Sequence, residues 1–201
     1  MNPVIEIPLF PLGAVLFPDG RLPLRIFETR YMDMAKDCLK NDLPFGICLI
    51  AQGQEVDTPG AKPAVPQGVG TLARIAEWDM PQLGVLETKA RGEQRFRILR
   101  RWVEGSGLQR AEVELLAPEA PQKIPGPYAR LVPLLRAIVE DLGDDAPAAP
   151  HRFFDATWVG YRWCEVLPIP AIARQKLLEL DDSISRLEII FRFLEQKGLM
   201  K

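Results

Sequence analysis

The sequence predicts an α+β chain in two parts, a β-rich segment up to about residue 118 (1–118) and a helical bundle beyond it (119–201). Three observations carry this. Over the first part, apolar and polar residues alternate in short runs, as in Arg95-Phe96-Arg97-Ile98 and Glu112-Val113-Glu114-Leu115. That spacing puts one face inward and one in water, as in an antiparallel sheet or barrel. Later the spacing becomes helical, with Leu131, Leu134, Leu135, Ile138, Val139 and Leu142 in one stripe. Between the two lies a stiff link, Ala117-Pro118-Glu119-Ala120-Pro121 and Ile124-Pro125-Gly126-Pro127.

The elements follow in order. Prolines at 8, 11, 18 and 23 with apolar residues between them predict short extended segments joined by fixed bends, because proline locks φ and donates no ladder hydrogen bond. From 28 to 41 the residues Tyr31, Met34, Ala35, Cys38 and Leu39 mark one face of a helix set among the strands. The stretch 52–67, with Pro59, Pro63 and Pro66, reads as a long loop, of a length found in functional or mobile connections. Arg91-Gly92-Glu93 reads as a tight hairpin connection, and Gly105-Ser106-Gly107 as another turn.

In the second part, the helix through Leu131–Leu142 starts late or kinks at Pro133 and ends at Gly143. Further helices are expected over 153–166 and 171–180. The last begins at Asp182 or Ser183, carries Ile184, Leu187, Phe191 and Leu194 on one face, and stops at Gly198. Trp78, Trp102, Trp158 and Trp163 are expected mostly in the core. No internal repeat is visible.

A length of 201 residues supports a large core without staples. With 47% hydrophobic and 26% charged residues, the composition argues against a disordered chain and a membrane protein. A net charge of -2 offers no global attraction to nucleic acid or an anionic membrane. Residues 3–18 carry Glu6 and four prolines without a basic start, so they read as mature structure. No window approaches the roughly 20 apolar residues that cross a bilayer. Cys38, Cys48 and Cys164 are scattered and odd in number; they suggest neither disulfides nor a zinc site, and fit a reducing cytoplasm.

The search for chemistry returns no catalytic residue, no metal site and no cofactor. The chain has no Gly-Lys dipeptide, which a P-loop requires to cradle phosphates. Its serines, Ser106, Ser183 and Ser185, lie in a turn and in the first turn of a helix, where hydroxyls cap free amides. His151, the single histidine, sits in a link without a nucleophile beside it in sequence. Asp141, Asp144 and Asp145 lack the calcium-loop pattern, and Asp181 and Asp182 suit a helix N-terminus.

The run Pro8-Leu9-Phe10-Pro11-Leu12-Gly13-Ala14-Val15-Leu16-Phe17-Pro18, leading into Arg21-Leu22-Pro23-Leu24-Arg25-Ile26-Phe27-Glu28-Thr29-Arg30-Tyr31, resembles the start of the N-terminal domain of the Lon protease family. Looser blocks follow in the family's order: Phe45-Gly46-Ile47-Cys48-Leu49-Ile50, Val69-Gly70-Thr71-Leu72-Ala73-Arg74-Ile75, Gly92-Glu93-Gln94-Arg95-Phe96-Arg97-Ile98 and the late helical stretch. The resemblance implies a PUA-like β pseudo-barrel with one helix, then a helical subdomain. It implies a stand-alone, non-catalytic protein-binding module for unfolded or tagged polypeptides, linked to proteolysis or quality control, with a separate protease as a partner. It also allows self-association. The family's ATPase and Ser-Lys peptidase motifs lie outside the matched region.

Candidate protein-binding residues are Phe10, Leu12, Leu16 and Phe17, with the 52–67 loop as a second candidate surface. Glu28, Arg30 and Tyr31 are assigned to anchoring the first helix. An alternative is RNA binding by Arg95, Arg97, Arg100, Arg101 and Trp102, on a face that also carries Arg91 and Arg110, since arginine beside an exposed aromatic suits single-stranded bases. Nearby Glu87, Glu93, Glu104, Glu112 and Glu114 favour a salt-bridged face instead, which makes nucleic acid the weaker expectation. An enzyme built on carboxylates would require a deep pocket around an unpaired acid.

Overall fold

The computed structural model describes residues 2–55, 63–143, 146–147 and 149–200, and divides the chain into two units, Met1–Pro118 and Glu119–Lys201. In the first unit, β1 (Val4–Leu12), β2 (Arg21–Ile26), β3 (Phe45–Gln52), β4 (Val65–Pro66), β5 (Val69–Gln82), β6 (Val85–Val103) and β7 (Gln109–Leu115) surround one helix, α1 (Thr29–Asn41). Five of the strands close a circuit. β1 pairs with β7, β7 with β6, β6 with β5 and β5 with β3, all antiparallel, and β3 returns to β1 in parallel register, Leu9 opposite Gly46. This is the expected pseudo-barrel.

Period-two alternation here fills two cores at once, since successive side chains leave a strand on opposite faces. Leu9, Cys48, Leu72 and Phe96 belong to one cluster with Ile7, Ala111 and Val113. Their sequence neighbours Phe10, Ile47 and Ala73 belong to the other, with Tyr31, Met34 and Ala35 of α1. The first cluster lines the barrel interior. A Cβ at Gly46 would meet the Phe96 ring at 2.7 Å, and one at Gly70 would meet the same ring at 2.7 Å and the Ile47 carbonyl oxygen at 2.5 Å. Both glycines therefore make room for Phe96.

Beyond the barrel, the front of β6 runs on between β2 and the end of β5 as a three-stranded arm, with Leu24 and Trp78 both opposite Thr88. Its apolar side packs on α1 through Leu24, Ile26, Leu86 and Ala90. α1 is tied down by the residues assigned to that task. Arg30 donates to the Gly107 carbonyl at 3.1 Å and to the Glu28 carboxylate at 2.7 Å, and Tyr31 stacks on Phe10 with centroids 4.1 Å apart.

The expected hairpin at Arg91-Gly92-Glu93 is not there: these residues lie inside β6, and the hairpin turns at Leu83-Gly84. Gly92 serves close approach instead. Its amide donates to the Gly20 carbonyl and its carbonyl accepts from Asp19, each at 2.9 Å, and a Cβ would lie 2.1 Å from the Phe17 carbonyl oxygen. The 52–67 loop is likewise not structureless at its end, because β4 pairs with β3 there; residues 56–62, like Asp144 and Asp145, lie outside the described residues.

The second unit holds α2 (Leu131–Asp141), α3 (Ala156–Val166), α4 (Ala171–Glu179) and α5 (Ser183–Gln196). Pro133 falls in the first turn of α2, where no intrahelical donor is lost. α3 starts three residues later than its apolar pattern, because Asp155 caps it, accepting from the Thr157 amide at 3.0 Å. Asp182, not a serine hydroxyl, caps α5 through the Ser185 amide at 2.8 Å. At the centre is a buried ion pair. Arg186 makes two hydrogen bonds to Glu119, at 2.7 and 2.9 Å, donates to the Leu177 carbonyl, and stacks over the Tyr161 ring. Gly160 of α3 lets that arginine pass, its Cβ position lying 3.2 Å from Arg186 Cδ.

The three thiols are core residues. Burial pushes the Cys38 thiol from its ordinary 9.0 up to about 11, with Asp37 adding to the rise, and pushes Cys164 up to about 12; burial alone raises Cys48 further still.

Phe96→Ala is expected to lower stability by about 3–5 kcal/mol through a cavity inside the barrel, and Gly46→Ala by about 1–3 kcal/mol through overpacking; urea midpoints check both. Glu119→Ala leaves Arg186 buried without its carboxylate, at a cost of about 3–5 kcal/mol, read in the same melts. The unfolded thiols ionise near 9.0 and the native ones only at about 11 or above. The native state therefore binds more protons in that window, and stability should fall as pH rises past about 9. A thiol reagent at neutral pH should label no cysteine of the folded chain and all three in urea.

Candidate functional site

The four residues first expected to dock protein are packing residues. Phe10, Leu12, Leu16 and Phe17 are all buried, none more than 6% exposed. Phe10 and Leu12 leave β1 on the face that α1 covers, and Leu16 joins them in that core, so these side chains present no surface to a partner. The apolar richness of the segment reflects how tightly the chain enters the fold.

The arginine face is also reassigned. Arg95 is 4% exposed, inside the structure and out of reach of a nucleic acid. Arg97 faces Glu114 at 4.0 Å, and Arg100 faces Glu112 at 3.4 Å while lying over the half-buried Trp102 ring. Arg101 donates to Gln109, Arg91 pairs with Asp19, and Arg110 sits between Glu6 and Glu104. Carboxylates thus pair with Arg91, Arg97, Arg100 and Arg110 of the row.

The serines and the histidine are engaged locally. Ser106 Oγ accepts from the Leu108 amide within its turn, and Ser183 Oγ donates to Gln122. The His151 ring nitrogen lies 2.9 Å from the Pro147 carbonyl oxygen, with the ring against Phe153 and Trp158. Among the described residues no three His, Cys, Asp or Glu side chains converge as metal ligands, and no helix is long and apolar enough to cross a membrane. In a cavity of about 690 Å³ beside α1 and β1, Arg110 pairs with both Glu6 and Glu104.

What the first unit does present is apolar surface on the arm. Trp78 is 59% exposed, Met80 43% and Leu83, at the hairpin tip, 98%. The core expectation for Trp78 is thereby corrected: the ring lies past the end of the barrel, where β5 has left β3. Trp78 and Met80 line a groove of about 550 Å³ with Met32, Leu39 and Leu86, completed by Asp33, Lys36 and Lys40 of α1. Exposed apolar side chains grouped around a groove mark an interaction surface. Sequence alone hides it, because Trp78, Met80 and Leu83 look like ordinary strand residues until the length of the β5–β6 arm is known.

The edge of β5 is part of the same surface. β3 pairs with β5 only through Thr71–Ala73, and among the described residues no strand follows it along that edge toward Gln82. Gly84, with φ of +83°, supplies the left-handed conformation that the tight turn demands.

Known proteins agree with this architecture. A crystal structure of a Lon N-terminal domain protein from Xanthomonas campestris superposes with a TM-score of 0.77 at 34% identity, covering 94% of this chain and 98% of that one. Lon protease 2 of Myxococcus xanthus is 24% identical over 199 residues, 95% of this chain and 24% of its own length. Protein cereblon of Gallus gallus is 28% identical over 114 residues, 55% of this chain and 24% of its own. The chain thus spans about a quarter of the length of the curated relatives it matches. The model of the substrate-binding domain of the ATP-dependent protease La (LON) matches residues 6–196. With a match of that extent, on a fold that superposes over nearly all of its length, this chain belongs to the LON substrate-binding domain family.

Proposed function

We propose that this domain is a non-catalytic polypeptide-recognition module that holds unfolded or tagged segments on the groove between its β5–β6 arm and α1, in the service of proteolysis or protein quality control. The observation that carries the reading is the exposure of Trp78 and Met80 in that groove, with Leu83 exposed at the hairpin tip. Side chains of this size left in water beside a groove are suited to bury apolar segments that a folded protein would hide. The family description, a substrate-binding domain, supports the same reading. Three buried thiols suit work in a reducing compartment such as the cytoplasm.

A fluorescently labelled, permanently unfolded model protein tests this. It should bind the wild-type domain, and the pair Trp78→Ser and Met80→Ser should weaken binding roughly thirtyfold, the effect of losing about 2 kcal/mol at an interface anchor. The melting temperature should stay within a few degrees, because neither side chain is buried. Unchanged affinity in the double variant, or no binding by the wild type, overturns the proposal.

A further inference from the structure

Charge around the groove is uneven. Lys36 and Lys40 lie one turn apart on the exposed side of α1, and both line the groove. Neither forms an ion pair among the described residues. The single carboxylate lining the groove is Asp33. Of the cations on the strands nearby, Arg21 and Lys89 pair with Glu77, Arg91 with Asp19 and Arg74 with Asp42 and Glu93.

The opposite face of the arm differs. Residues directly opposite each other across strands share a face. The register sets Arg25 opposite Glu87 and Glu87 opposite Asp79, and sets Lys89 opposite Glu77. Acidic side chains of β5, Glu77 and Asp79, therefore point away from the groove that Trp78 and Met80 line.

Between the two faces runs the unpaired edge of β5. The Met80 amide donates to the Asp79 carboxylate at 2.8 Å, a local substitute for the carbonyl that a neighbouring strand supplies.

We infer, building on the recognition reading above, that the bound segment is an extended strand added to the free edge of β5. One of its apolar side chains lies against Trp78 and Met80, and a carboxylate two residues away faces Lys36 and Lys40. Strand addition supplies affinity through main-chain hydrogen bonds, and alternate side chains supply choice. Spacing decides the outcome. A carboxylate two residues from the apolar anchor shares its face and meets the two lysines, whereas a carboxylate one residue away turns to the opposite face and meets neither.

The test uses fluorescein-labelled peptides of about ten residues in an extended pattern, binding the whole domain at low salt. The first carries apolar-x-Glu, the second Gln in place of Glu, the third Glu moved by one residue, and the fourth N-methyl groups on alternate backbone amides. The first should bind roughly threefold to tenfold tighter than the second, the span expected of one or two exposed charge pairs, and the third should lose that gain. N-methylation should weaken binding about tenfold through the lost ladder bonds. The exposed pair Lys36→Glu and Lys40→Glu should reverse the preference toward a Lys peptide.

Equal affinity for the first three peptides, on a domain that still loses them with Trp78→Ser, overturns the inference and leaves the recognition reading standing. Equal affinity of the N-methylated peptide overturns the added strand. If neither the peptides nor the unfolded protein bind, both fall together.

Discussion

The first unit depends on the burial of one ring, Phe96, at the centre of a barrel too small to hold it beside ordinary side chains. Gly46 and Gly70, facing it from β3 and β5, have no Cβ, and the ring fills the space they leave. Strands β3, β5 and β6 are thereby drawn together, and β1 and β7 complete the circuit around Ile7, Leu9, Ala111 and Val113. Large and small side chains set across from one another let a close-packed interior form without voids.

Closure has a second effect, because every residue that enters the barrel turns its neighbour outward. The outward neighbours Phe10, Ile47 and Ala73 must also be buried, and α1 is the element that buries them. Arg30 and Tyr31 hold the helix in that place, one through the Gly107 carbonyl and the other through its stack on Phe10. The residues that carry the family likeness are thus tied to construction, while the exposed apolar residues lie later in the chain, on the arm. In the second unit the corresponding anchor is polar, Arg186 held by Glu119 and roofed by Tyr161. Burial alone would lower the arginine's pKa, but the hydrogen bonds and charge of Glu119 hold it above its ordinary value.

Much of this was legible in the sequence. The strand-to-helix change near residue 118, α1, α2, α4 and α5, and the barrel implied by the family likeness are all present. What failed did so for physical reasons. Gly92 reads as a turn because glycine serves both turns and close backbone approach, and the Phe17 carbonyl that demands it is far away in sequence. Phe10 and Phe17 read as binding residues because apolar clusters look alike whether they pack or dock. Arg95 alternates correctly with Phe96, yet its own place on that outer face is covered, while Arg97 two residues on is exposed. Trp78 reads as core, since nothing local says that β5 and β6 outrun the barrel. The paired carboxylates along the arginine row were visible as a charge pattern, because cross-strand pairing follows from alternation.

The 19-residue β6 strand belongs half to the barrel and half to the arm, but the side chains at the arm's tip belong to neither core. Trp78, Met80 and Leu83 belong to neither buried cluster, so this surface is freer to drift than the cores. On the proposed docking reading, lineages of the fold can rewrite what they recognise by exchanging a few residues at the end of one hairpin, while the barrel beneath keeps its shape.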